Sequence, residues 1–141
     1  MNTFRDKLMG DIAAKKQAIV DTRRAAQETM QTQADERRAR VAKAANLMED
    51  VLQQAVDALN TSNVAATLKP LTTHRDGGGD DVTGHVLTVK SHGRSERIVL
   101  NYVLGSVETK SHKGPLEVDK FNTVRDAENF VSQQLEKLGL V

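Results

Sequence analysis

The sequence predicts an α+β fold: a long N-terminal α-helix, an antiparallel meander of about four strands, and a C-terminal α-helix packed on the sheet. Three observations carry this expectation. Residues 3 to 60 are rich in alanine and charge and contain no proline and one glycine, Gly10. After Asn60-Thr61-Ser62-Asn63 the apolar period changes from helical to two. From Thr123 onward the helical period returns. The organisation expected is a helical, oligomerising coiled-coil segment over 1–62 followed by a small α+β domain over 63–141.

The first helix opens on Thr3 and Asp6, a capping-box spacing in which a hydroxyl and a carboxylate exchange hydrogen bonds with orphan amides. Gly10 costs about 1 kcal/mol in a helix interior, so a break near residue 10, or a chain folded back on itself, is an alternative to one continuous rod. At about 1.5 Å per residue an unbroken rod runs roughly 85 Å, more than a small domain can shelter. Some of it must meet another helix, so self-association into a dimer or higher oligomer is expected.

From Val41 the apolar spacing alternates between three and four: Val41, Ala44, Met48, Val51 and Ala55, widened by Leu52 and Leu59. These are the expected oligomer-interface residues, with burial against the chain's own sheet as the other use of so broad a face. Residues 15–43 bury less, because alanine favours helix but offers little area. They are also basic: Lys15, Lys16, Arg23, Arg24, Arg37, Arg38, Arg40 and Lys43 stand against Asp21, Glu28, Asp35 and Glu36, whereas residues 44–60 carry Glu49, Asp50 and Asp57 with no base. That asymmetry favours antiparallel over parallel pairing of two such helices.

The strands are expected at 64–74, an edge strand because Pro70 cannot donate to a ladder, then at 82–91, 96–104 and 116–121, with a bulge or short strand at 107–110. Thr123 and Asp126 repeat the capping box, Val124, Ala127, Val131, Leu135 and Leu138 form one stripe, and Gly139 is the C-terminal cap.

Composition narrows the function classes. The charge of +1 offers no global field for nucleic acid or an anionic membrane. With no cysteine, disulfides, thiolate metal sites and cysteine nucleophiles are excluded. No stretch approaches the ~20 apolar residues that span a bilayer, and the start of the chain lacks a signal-like apolar run, so a cytoplasmic protein is expected. No cofactor is implied.

Three candidate sites remain. His74, Asp80, Asp81 and His85 flank Gly77-Gly78-Gly79 and are weak candidates for a metal-dependent enzyme site; the plainer reading is a solvated polar loop. Ser91 or Ser95 beside His92 resembles a nucleophile and base only in composition, since neighbours in a turn rarely align. Arg23, Arg24, Arg37, Arg38 and Arg40 could meet phosphates in a nucleic-acid-binding protein, against a helix face solvated by pairs such as Glu36–Arg40. The leading expectation is a non-catalytic interaction or structural protein, self-associating through its N-terminal helix and docking a protein partner through its α+β domain, by an apolar face or an open strand edge.

Overall fold

The computed structural model describes residues 3–140. Helix α1 (Thr3–Thr61) runs without a break through Gly10, where an added Cβ would point into open space. Thr3 is itself helical, so the cap position falls outside the described residues. Five strands follow in a pure meander: β1 (Ala65–His74), β2 (Asp80–Ser91), β3 (Arg94–Asn101), β4 (Ser106–Glu108) and β5 (Lys113–Pro115), in spatial order β1-β2-β3-β4-β5. A 3-10 turn (Val118–Lys120) leads to α2 (Val124–Lys137). The α+β class, the antiparallel sheet and the closing helix are all present.

Contacts divide the chain into two units, Met1–Arg38 and Ala39–Val141. The boundary between these units lies inside α1 rather than at its end. The physical reason is burial. Val41, Ala44, Met48, Val51, Leu52 and Leu59 are buried, and Ala55 is packed against the same cluster. The seam expected to meet another copy is thus occupied by the chain's own core, as the breadth of that face had offered. The core joins it to Leu87 and Val89 of β2, Ile98 and Leu100 of β3, and Ala127, Val131 and Leu135 of α2. Both helical faces therefore cover one side of the sheet.

Local chemistry fixes each junction. Asn60 closes the end of α1 by a two-point clamp, its side chain accepting from the Ala66 amide at 2.9 Å and donating to the Ala66 carbonyl at 3.3 Å. The α2 capping box forms as expected: the Thr123 hydroxyl accepts from the Asp126 amide, and the Asp126 carboxylate accepts from the Thr123 amide at 3.0 Å. A hydrogen bond from the Asn122 amide, and then those from Thr123, hold the Asp126 carboxyl below its ordinary value. At the far end Gly139 adopts φ +73°, and the Leu140 amide reaches back to the Leu135 carbonyl at 3.0 Å.

Two strand expectations are corrected. β3 stops at Asn101, because the Asn101 side chain accepts from the amides of Val103 and Leu104 and turns the chain. Residues 116–121 are not the last strand. Pairing ends at Pro115, which has no amide to continue it, and Leu116 and Phe121 are buried around the 3-10 turn. The alternation read as strand was two core anchors flanking a turn.

Gly84 is required by contact rather than by dihedral freedom. It sits beside the β1 irregularity at Leu71/Thr72, and a Cβ there would lie 2.3 Å from the Leu100 carbonyl oxygen. Gly84→Ala is expected to destabilise the fold by about 1–3 kcal/mol through overpacking. The melting temperature followed by circular dichroism measures this; an unchanged value refutes the assigned contact.

Candidate functional site

The second unit contains one buried polar assembly that crosses its layers. Glu49 projects from α1, His85 from β2, and Tyr102 follows β3. His85 is 1 % exposed and Tyr102 2 %. The His85 Nδ1 lies 2.7 Å from the Tyr102 hydroxyl, with the rings edge to face, and Nε2 lies 3.4 Å from Glu49 Oε2. A carboxylate can only accept, so Nε2–H donates to Glu49, which leaves Nδ1 to accept from the Tyr102 O–H. Every polar atom of the ring is then used, and neither ring is open to a substrate. The arrangement ties helix to sheet; it does not present a reactive group.

Burial sets the titration of this assembly. Desolvation pushes His85 below its ordinary value, opposed by the hydrogen bond and negative charge of Glu49. Tyr102 is pushed far up by burial and then by the same carboxylate. Because the folded-state value of His85 is depressed, the unfolded chain binds its proton first. Stability contributed by the neutral ring is fully present above about pH 6.5 and falls as pH drops through that value toward the folded-state value.

The metal candidates do not converge. His74 Nδ1 meets Asp80 Oδ1 at 3.1 Å across the β1–β2 hairpin, both side chains exposed, and Asp81 lies near Arg75 at 3.9 Å. His85, in contrast, is in the core with Glu49 and Tyr102. The reason is distance along the hairpin: Pro70 pairs with His85 and His74 with Asp80, so the two histidines share a face but lie four β1 residues, about 13 Å, apart. Among the described residues no group of three or more metal-ligating side chains gathers. Of the serine and histidine group, His92 occupies the β2–β3 turn at φ +50°.

The first unit is a different kind of surface. Every described residue from Thr3 to Arg40 is exposed, including Arg23, Arg24, Arg37, Arg38 and Arg40. Its polar side is laced by i,i+4 contacts, Gln17 to Asp21 at 2.9 Å and Gln31 to Asp35 at 3.0 Å. Arg40, just inside the second unit, reaches Asp119 at 3.8 Å. Exposed with them are Phe4, Leu8, Met9, Ile12, Ile19, Val20 and Met30. Leu8, Ile19 and Met30 recur at eleven residues, and Ile12 lies one turn beyond Leu8. Eleven residues are close to three full helical turns, so the stripe drifts only about 20° per repeat. The same spacing links Val41 to Leu52 and Ala45 to Val56, which are buried in the second unit.

This stripe escaped the reading of the sequence because Lys15, Arg23 and Arg37 interrupt it and alanines fill its gaps. The eleven-residue recurrence was the signal. A heptad template, tuned to 3.5 residues per turn, passes over it.

Compared with known family models, curated proteins and solved structures, the chain matches none. No helix among the described residues is long and apolar enough to cross a membrane.

Two outcomes are expected for the buried assembly. Unfolding free energy by urea titration should decline from pH 7 to pH 5 with a His85 contribution of at most about 1.4 kcal/mol per pH unit, and His85→Gln should remove that part of the slope. Tyr102→Phe strands the ring nitrogen without a donor and should cost about 1–3 kcal/mol; a neutral result would contradict the hydrogen bond described.

Proposed function

We propose that this protein is a non-catalytic assembly factor that self-associates through helix residues 3–38 and thereby multiplies its α+β unit, the module offered to a protein partner. The observation that carries the reading is the exposed apolar stripe: Leu8, Ile12 and Ile19 are 43–48 % exposed and Met30 is 70 % exposed, on a stretch of helix whose described residues from 3 to 40 are all exposed. A helix without packing is marginal in water, because its stability comes chiefly from burying one face. Alanine-rich flanks let a second helix approach closely enough to provide that burial.

The module's side of the reading is supported by Val103 and Leu104. They are 54 % and 74 % exposed on the turn that Asn101 fixes, with Tyr102 anchored in the core immediately before them. A held turn displaying two aliphatic side chains presents contact area at small entropic cost. A cytoplasmic setting is part of the proposal, supported by the absence of cysteine.

Light scattering of the full chain at about 100 µM should return at least twice the 15.5 kDa chain mass. Combined replacement of Leu8, Ile19 and Met30 by Ser should return the single-chain mass, while the urea midpoint of the second unit stays put. A wild-type chain that stays monomeric at that concentration defeats the reading.

A further inference from the structure

We infer that the partner of the stripe is a second copy of this chain lying antiparallel, centred between Arg24 and Ala25, so that Ile19 of one chain faces Met30 of the other. The inference rests on the self-association proposed above and adds its geometry. It is carried by which residues interrupt the stripe. At the spacing that links Leu8, Ile12, Ile19 and Met30, the intervening positions are Lys15, Arg23, Ala26, Ala34 and Arg37.

Parallel pairing in register would stack Lys15 on Lys15, Arg23 on Arg23 and Arg37 on Arg37. Three like-charged layers within a seam oppose association and desolvate bases without partners. Reversing one helix about the stated centre removes all three conflicts together. Arg23 then faces Ala26, Lys15 faces Ala34, and Arg37 faces Ile12. Each long basic stem lies over a small or aliphatic side chain and carries its charge out to water. Ile19 against Met30 supplies the apolar layers, once on each side of the two-fold axis, and the seam ends at the Ile12–Arg37 layers because Val41, the position opposite Leu8, is buried in its own core.

Size follows the same pairing as charge. Large meets small at the Arg23–Ala26 and Lys15–Ala34 layers, so the seam keeps a nearly even width. An isologous two-fold contact of this kind closes on itself and gives a dimer rather than a filament. The eleven-residue repeat, about 3.67 residues per turn, winds such a pair straight or slightly right-handed, not into a left-handed supercoil.

The absence of native cysteine makes a direct test available. Full-length Ile19→Cys and Met30→Cys chains are oxidised separately, and after mixing and exchange. Ile19 and Ile19 of the partner copy would lie about 16 Å apart along the axis, too far for a disulfide, whereas Ile19 and Met30 would be opposite. The mixture should therefore yield covalent heterodimer at least about tenfold above either chain alone, and the Ile19→Cys/Met30→Cys double variant should cross-link almost completely. Efficient cross-linking of Ile19→Cys with itself would overturn the antiparallel arrangement while leaving self-association standing. A dimer by light scattering whose double variant does not cross-link would overturn the register. A monomer at about 100 µM would remove both this inference and the reading beneath it.

Discussion

The second unit depends on the burial of one face of α1 between Val41 and Leu59. Met48 is fully enclosed, and Leu52, Ala44 and Ala45 are nearly so, with β2, β3 and α2 closing over them. Each buried aliphatic contributes roughly 1.5–3 kcal/mol relative to exposure, and no other element of the unit brings so many to one place. A five-stranded sheet with two three-residue strands at one side could not hold its shape alone. The helix supplies a floor, and α2 completes it with Ala127, Val131 and Leu135. From residue 40 back to residue 3 the described side chains of the same helix are exposed.

Into this apolar layer the fold admits an imidazole and a phenol, His85 and Tyr102. His85 sits at a position of β2 that alternation turns inward, where leucine or valine would serve packing equally well. Its polar atoms are matched on both sides, by Tyr102 from the sheet and by Glu49 from the helix. A satisfied polar contact of this sort adds little net stability but penalises any rotation or slip of α1 that would strand the ring. The assembly therefore specifies how the helix sits on the sheet. Glu49, with 56 % of its side chain exposed, is the single open end of that chain of contacts.

Much of this architecture was legible in the residues. Proline-free alanine and charge gave the first helix, Thr123 and Asp126 the start of the second, and Pro70 the edge strand. Four parts were not legible, each for a physical reason. Leu116 and Phe121 alternate as in a strand, but periodicity cannot distinguish a strand from a turn with an anchor at each side. The Val41–Leu59 face fits another helix or the chain's own sheet equally well, and only the three-dimensional arrangement decides. His85 joined a group of polar neighbours in sequence, while the register set it four residues along the hairpin from His74, inside the covered part of the sheet. For the candidate assembly surface, the large residues were visible but their common line was hidden behind lysine, arginine and alanine.

The chain has only two prolines, and they fall on the two outermost strands: Pro70 in β1 and Pro115 in β5. Neither can offer the backbone hydrogen that an incoming strand needs, so each margin of the sheet lacks a donor where a template for fibril growth would otherwise stand. Lys69 beside the first and Lys113 beside the second add charge at both borders. Growth by stacking sheets end to end is thus discouraged from either side. A molecule bringing several copies of this unit close together would need that protection against runaway polymerisation.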